Sequence, residues 1–141
     1  PHNVYGPNMG NEHVIPEITN KILKLKKGKL NIQGSGNETR SFIYIDDFVN
    51  SFKILLQKGK HKNIYNIGNN EEVTIINIIK LISDILSKTI KIKKGKLKKG
   101  GTLRRCPNIE KIKNIGYKQK YSLRKGLNET VSWYKLNYEK K

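Results

Sequence analysis

The sequence predicts an α/β fold, and three observations carry that expectation. Stretches with apolar residues at helical spacing, the widest being Ile75, Ile78, Ile79, Ile82, Ile85 and Leu86, call for amphipathic helices. Between them lie short runs of branched and aromatic residues that alternate with polar ones, such as Ser41 to Ile45, which read as strands. Glycine punctuates both kinds of segment, at 34, 36, 59, 68 and 116. At 141 residues the chain is long enough for one domain with its own core. It shows no internal repeat and no linker, so 1–141 reads as one unit.

Taken in order, residues 8–12 read as a loop. A helix is expected from about His13, with Pro16 tolerated in its first turn and Ile15, Ile18, Ile22 and Leu23 on one face. The basic run Lys26-Lys27-Gly28-Lys29 ends it. A short strand, Leu30 to Gln33, leads into the turn Gly34-Ser35-Gly36-Asn37. After the Ser41–Ile45 strand, Asp46 and Asp47 open a second helix, where carboxylates suit the positive end of the helix dipole. It is expected to run to Lys58, bury Phe48, Phe52, Leu55 and Leu56, and stop at Gly59. Asn63 to Gly68 reads as a strand ending in a turn. Thr74 caps a third helix, Ile75 to Lys88. Thr89 to Lys93 is an edge strand whose lysines guard it, and Gly95 to Thr102 a basic loop. A short helix, Asn108 to Ile115, stops at Gly116. The last helix runs from Ser122 to about Tyr138 and buries Leu123, Leu127, Val131 and Tyr134.

The chain carries 29 Lys plus Arg against 11 Asp plus Glu, a net charge of +18. Such a balance raises a nucleic-acid-binding module as an alternative function. The pattern argues against it. Lys, Ile and Asn dominate together, as an AT-rich coding bias produces, and the densest block, Lys91 to Lys99, has no aromatic residue for base stacking. The expected partners therefore include no nucleic acid and no membrane, since no apolar run is long enough to span one. The lone Cys106 has no disulfide partner in the chain, and the three histidines, His2, His13 and His61, are scattered, so no zinc spacing exists and no metal is expected. A reducing, cytoplasmic setting fits. Cys106 itself reads as structural or incidental. The Asn37 and Asn128 glycosylation patterns, without a secretion signal, read as chance.

Four motifs in order give a resemblance. Asn3-Val4-Tyr5-Gly6-Pro7, Glu38-Thr39-Arg40-Ser41-Phe42-Ile43-Tyr44-Ile45-Asp46-Asp47-Phe48-Val49, Tyr65-Asn66-Ile67-Gly68-Asn69, and Arg104-Arg105-Cys106-Pro107-Asn108-Ile109 with Gly116-Tyr117 and Ser122 to Leu127 behind it resemble the NAD-dependent nucleotide-sugar epimerases and dehydratases, which are extended short-chain dehydrogenases/reductases. The match covers nearly the whole chain. It implies the C-terminal, substrate-binding subdomain with the last Rossmann strand and helix, and an N-terminal Rossmann core that these residues lack. Along with that core would go the glycine-rich NAD fingerprint and the catalytic Tyr-x-x-x-Lys pair, so no catalytic residue is expected here and the chain alone is expected to be inactive. The parent is expected to be a homodimer serving sugar-nucleotide or cell-surface polysaccharide synthesis. Its first reading is an enzyme like UDP-glucose 4-epimerase, with dTDP-glucose 4,6-dehydratase or UDP-glucuronate decarboxylase as alternatives. Tyr121 and Lys125 satisfy Tyr-x-x-x-Lys by spacing but sit at the start of the last helix, on the wrong side of the domain. Gly95 to Thr102 misses the P-loop because Gly101 stands at the lysine position.

The resemblance assigns Asn3 to the substrate sugar or diphosphate and Val4, the one cofactor-binding residue, to the neighbourhood of the NAD nicotinamide. It places His13, Val14 and Ile15 at a helix start lining the nucleotide, as helix N-termini suit phosphate. Ile32 and Gln33 stand beside the base, with Asn31 as readily an ordinary strand residue. Asn66 lies near the nucleotide, with a strand-end cap as its alternative; Asn3 has an alternative as a turn-former. Lys99 stands where many relatives have arginine, and Gln119 where they have proline. Arg40, Arg104 and Arg105 are the expected diphosphate anchors. Three of the chain's four arginines fall there in a lysine background, and a guanidinium can hold an anion through paired, charge-assisted hydrogen bonds. The alternative for Arg40 is a clasp to Asp46 or Asp47.

Overall fold

Three small sheets organise the chain among the described residues, which in this computed structural model are 1–26, 28–97 and 99–139. Strand β1 (Val4–Tyr5) pairs in parallel with β4 (Ile43–Tyr44). Strand β2 (Lys29–Asn31) pairs in parallel with β6 (Lys91–Lys93). The third sheet has the order β5 (Glu72–Thr74), β3 (Thr39–Ser41), β7 (Arg104–Arg105), with β5 antiparallel and β7 parallel to β3. The helices are α1 (Val14–Lys24), α2 (Ile45–Lys58), α3 (Ile75–Ile85), α4 (Glu110–Asn114) and α5 (Leu123–Glu139). Lys27, placed by the sequence in the basic stop of α1, and Lys98, in the basic loop, lie outside the described residues. No helix among the described residues is long and apolar enough to cross a membrane.

Helical periodicity identifies the main core. Ile15, Ile18 and Ile22 of α1, Ile78, Ile79 and Ile82 of α3, and Leu127 and Val131 of α5 meet in one cluster with Tyr5, Phe42 and Tyr44. Full burial of such a side chain contributes about 1.5–3 kcal/mol. Thr74 caps α3 through its side chain, which accepts from the Asn77 N–H. Helix α3 ends at Ile85, three residues short of the predicted Lys88. Ser87 then turns left-handed at φ 51°, and Lys88 folds back so that its ammonium donates to the carbonyls of Ile22, Leu23 and Leu25. These carbonyls lie at the end of α1, where acceptors lack helical partners; that of Ile22 also accepts from the Leu25 N–H. Gly126 is costly in a helix interior, by about 1 kcal/mol, but a Cβ there would lie 2.3 Å from the Tyr5 hydroxyl oxygen and 2.8 Å from the Tyr44 ring. The glycine lets α5 lie directly on β1 and β4.

Several elements depart from the sequence reading. The predicted strand from Ser41 to Ile45 divides: β3 and β4 belong to different sheets, and Ile45 already starts α2. Asn63 to Gly68 forms no strand; it is extended chain tied by the His2 N–H to the Ile67 carbonyl. Strands β5 and β7 were not legible. The face of α2 is the largest correction. Phe52 is 46% and Leu56 72% exposed, while the buried residues of α2 are Asp47 and Ser51. Phe48 and Leu55 are only partly buried, against a second cluster of Ile43, Ile67, Ile109, Ile112 and Tyr117.

The reason lies in one carboxylate. Asp47, 1% exposed, accepts from the backbone N–H of Lys120 at 3.0 Å and of Tyr121 at 2.9 Å. A buried carboxylate must keep such partners, so its edge of α2 turns inward and the apolar stripe rotates toward solvent. Its charge and the burial of the Tyr117 ring together push that phenol up to about 12, burial being the larger cause. Asp47→Ala leaves two N–H groups without acceptors, at about 1.5–3 kcal/mol for a charged hydrogen bond. It is expected to lower the melting temperature by several degrees, measured by calorimetry, and more than Phe52→Ala on the same helix.

Candidate functional site

Two adjoining cavities lie beside the glycine turn, and Val14 and Arg40 line both. The turn is built for sharp backbone: Gly34 and Gly36 have φ of 79° and 83°, a region open to glycine. Glu38 closes it. Its carboxylate accepts from the Ser35 N–H and hydroxyl and from the Gly36 N–H. Burial alone would raise this carboxyl, but those donors more than offset it and hold it below the usual carboxylate range. The Ser-x-x-Glu spacing is that of a capping box, used here to fasten a turn rather than a helix. Glu38 was not among the candidates, although this spacing could have found it.

The first cavity, about 150 Å³, is lined by Val14, Ile18, Leu30, Asn31, Ile32, Gln33, Glu38, Arg40 and Leu97, with Glu17, Lys21 and Ile75 completing it. The second, about 200 Å³, is lined by Asn3, Val4, Tyr5, Met9, Glu12, His13, Val14, Ile15, Arg40, Phe42 and Arg105. His13 is the N-cap of α1, with extended backbone, so the helix start opens onto this second space. The side-chain amide of Asn3 donates to the Ser41 carbonyl at 2.8 Å, and its φ is 39°. The turn-forming role and a place on the cavity wall therefore coincide in one residue.

Strand alternation sorts the three arginines. In the register of the third sheet Arg40 lies opposite Arg105 on β7 and opposite Val73 on β5. Thr39, Glu72 and Arg104 have the other parity and face the other side. Arg104 accordingly donates to Glu72 Oε1 through Nε at 3.0 Å and Nη2 at 2.6 Å, and Thr39 donates to the other Glu72 oxygen. The hydrogen bonds from Arg104 are the main cause that holds the Glu72 carboxyl low. Arg104 lines neither cavity. Arg40 is not clasped to an aspartate. Its guanidinium donates to the carbonyls of Thr39 and Thr102, each at 2.7 Å, and of Leu103, while Asp47 is committed to Lys120 and Tyr121. Burial, and then the charge of Arg105, pull the Arg40 pKa below its ordinary value. Arg105 is exposed, and among the described residues its guanidinium donates only to Thr102 Oγ1, at 3.5 Å. Among the described residues neither Arg40 nor Arg105 has a carboxylate within ion-pair distance, although the Glu38 charge acts on Arg40 and Glu12 lines the same cavity as both. Two cations stand side by side on one cavity wall, Arg40 held by carbonyls and Arg105 beside a hydroxyl, an arrangement whose chemistry suits an anion.

The remaining candidates stand apart. Asn66 donates to the Asn108 carbonyl at 3.1 Å, and exposed Lys99 lies in the turn before Gly100; neither lines the first or the second cavity. Tyr121 stacks on Tyr44 at 4.4 Å between ring centroids, and the Lys125 ammonium sits 4.1 Å above the Tyr121 ring. That pair is a packing arrangement outside both cavities. The Gly95–Thr102 loop leads to β7 and not to a helix, so it holds no P-loop.

Comparison with known proteins places this architecture. A family model described as "NAD dependent epimerase/dehydratase family" matches residues 1–68. Human dTDP-D-glucose 4,6-dehydratase is 32% identical over 143 residues, covering 96% of this chain and 40% of the relative. GDP-L-fucose synthase 1 of Arabidopsis thaliana is 31% identical over 144 residues, 97% of this chain and 45% of the relative. Among solved structures, dTDP-glucose 4,6-dehydratase of Bacillus anthracis in complex with NAD superposes with a TM-score of 0.86 at 34% identity, over 98% of this chain and 44% of that one. UDP-glucose 4-epimerase of Thermotoga maritima with UDP-glucose gives 0.87 at 26% identity, over 97% and 45%. The fold is thus a partial Rossmann-like α/β arrangement shared with sugar-nucleotide enzymes. The chain belongs to the NAD-dependent epimerase/dehydratase family, within the extended short-chain dehydrogenases/reductases, and it spans less than half the length of these relatives.

The two cavity-side arginines differ in what they do for the fold. Arg40→Met removes three carbonyl bonds and is expected to lower the melting temperature. Arg105→Met removes a like charge directly opposite another, a relief of about 0.2–1 kcal/mol, and is expected to leave stability unchanged or raise it. Equal losses of melting temperature in the two variants would contradict this division.

Proposed function

We propose that this chain is the nucleotide-sugar-binding portion of an NAD-dependent sugar-nucleotide epimerase, with the diphosphate seated between Arg40 and Arg105. The observation that carries the reading is the register of β3 and β7, which sets two guanidiniums without an ion-pair partner among the described residues on one cavity wall. A diphosphate brings close negative charges whose oxygens accept paired N–H donors. The first cavity, half apolar through Ile18, Ile32 and Leu97 and edged by Gln33 and Asn31, then takes the base. The second takes the diphosphate and the sugar side, with Asn3, His13, Val14 and Ile15 on its walls. Arg104, spent on Glu72, is dropped from the diphosphate set, and Asn66 and Lys99 act on structure or from a distance.

A 4-epimerase like that of Thermotoga maritima is the first reading for the parent reaction. A 4,6-dehydratase is the second, favoured by the 32–34% identity to the human and Bacillus anthracis dehydratases. NAD, when bound, would accept a hydride from the sugar and return it. Of this chain's residues we assign Val4 to its border, a reading supported by the opening of β1 into the second cavity. The other NAD contacts and the proton-transferring base would come from residues outside these 141, and the chain alone is expected to show no turnover.

The test is a calorimetric titration of UDP-glucose and dTDP-glucose into the full-length protein and its lysine variants. Losing one charge-assisted bond costs about 1.5–3 kcal/mol, so Arg105→Lys and Arg40→Lys are expected to weaken binding roughly tenfold to a hundredfold. Arg104→Lys is expected to change it little. A larger effect from Arg104→Lys than from Arg105→Lys would overturn the placement of the diphosphate.

A further inference from the structure

A third depression lies between α1 and α5; it adjoins the first cavity at Glu17 and Lys21 and the second at Met9, but neither Arg40 nor Arg105 lines it. It is the largest of the three at about 750 Å³, within the size range of ligand sites. One wall is the outer stripe of α1, Glu17, Asn20, Lys21 and Lys24; the other is the stripe of α5, Trp133, Tyr134, Asn137 and Tyr138; and the loop with Asn8, Met9 and Asn11 forms the floor. The floor is fastened to both walls. Asn20 donates to Asn11 Oδ1 at 3.1 Å, and the Tyr134 hydroxyl donates to the Met9 carbonyl. The groove is therefore held open in a set shape.

Its chemistry departs from that of the molecule. In a chain of net charge +18, the Glu17–Lys21 pair cancels within the groove and Lys24 is its one uncompensated charge among the described residues. Four of the eleven lining residues are asparagine, against 16 in 141 for the chain, and the only tryptophan is here. The Trp133 ring is held by Tyr134 edge-on, with centroids 4.9 Å apart and planes at 81°. Each amide offers donors and an acceptor on one small group. Among the described residues Asn8 spends neither and Trp133 Nε1 has no acceptor, while Asn20 donates to Asn11 Oδ1 and Asn137 to the Trp133 carbonyl at 2.8 Å, each keeping its amide oxygen and a second N–H. A nearly neutral groove with a fixed aromatic plate and several amides does not suit a phosphate or a polyanion. It suits a ligand with many hydroxyls and a flat apolar C–H face.

We propose that the α1–α5 groove is a binding site for an uncharged glycan, a short run of neutral pyranose units stacked on Trp133 and hydrogen-bonded by Asn8, Asn20 and Asn137. The site is distinct from the Arg40–Arg105 seat and does not rest on the nucleotide-sugar reading. The stacking ring carries most of the affinity, because a fixed aromatic loses little conformational freedom on binding.

The probes are maltotriose, cellotriose and the trimer of N-acetylglucosamine, each titrated at millimolar concentration into the full-length protein by calorimetry and by ligand-observed NMR saturation transfer. At least one is expected to bind. Trp133→Ala should weaken it about tenfold or more, which is about 1.4 kcal/mol, and Trp133→Phe should restore part of the loss. The melting temperature and far-UV circular dichroism of the same samples report whether the variants remain folded. Arg105→Lys is expected to leave trisaccharide binding unchanged, and Trp133→Ala to leave UDP-glucose binding unchanged. Absence of binding by all three trisaccharides would overturn the proposal, as would equal binding in native and Trp133→Ala protein, or displacement of the trisaccharide by UDP.

Discussion

Arg40 and Arg105 stand opposite each other on neighbouring strands, and like charges in that position repel. The surrounding structure is arranged to hold them there. Arg40 is tied by its own guanidinium to the Thr39, Thr102 and Leu103 carbonyls, so the side chain that faces the cavities also fixes the approach of the loop before β7. The backbone contributes separately, through the Thr39 N–H to the Leu103 carbonyl. On the other side of β3, Glu72 accepts from Thr39 and Arg104 and binds β5 and β7 together. The sheet's acidic partner is thus spent on the face turned from the cavities. The cavity face keeps two guanidiniums without an ion-pair partner among the described residues, and the proposed diphosphate seat rests on that asymmetry.

Two buried carboxylates brace the arrangement from either end of the central motif. Glu38 closes the Gly34–Gly36 turn through three donors and positions the start of β3. Asp47 accepts from the chain entering α5 and so ties the start of α2 to the last helix. Between these braces run β3, β4 and the start of α2. Both carboxylates accept mainly from backbone N–H groups, Glu38 also from the Ser35 hydroxyl, rather than from lysines, although lysine is abundant. A backbone donor is fixed in place and carries no long side chain to order, which suits a group that must define geometry.

Much of the helical skeleton was legible in the sequence. The isoleucine stripes of α1 and α3 and the Leu127, Val131 and Tyr134 stripe of α5 have a period that only a helix satisfies, and all three helices meet in the core. Strands β5 and β7 were hidden because three and two residues are too few for an alternation to show; Glu72-Val73-Thr74 became a strand through its partner. Helix α2 misled because its apolar stripe is real in sequence, but a buried Asp47 outweighs it in orienting the helix. For the same reason the arginines were legible as a group and not singly. Their rarity marks Arg40, Arg104 and Arg105, whereas separating Arg104 from Arg105 needs the parity of a strand whose existence the sequence does not reveal. Ser35 and Glu38 carried a readable capping spacing with no helix behind it, which is why the turn's own clasp went unmarked.

The central claim is that one pair of in-register arginines defines the ligand seat. A crystal structure of the full-length protein soaked with a UDP-sugar or dTDP-sugar tests it most directly. The account requires diphosphate oxygens within hydrogen-bonding distance of both the Arg40 and Arg105 guanidiniums, with Arg104 still on Glu72. A diphosphate bound elsewhere, with Arg105 left in solvent or Arg104 released from Glu72 to hold it, would contradict the account.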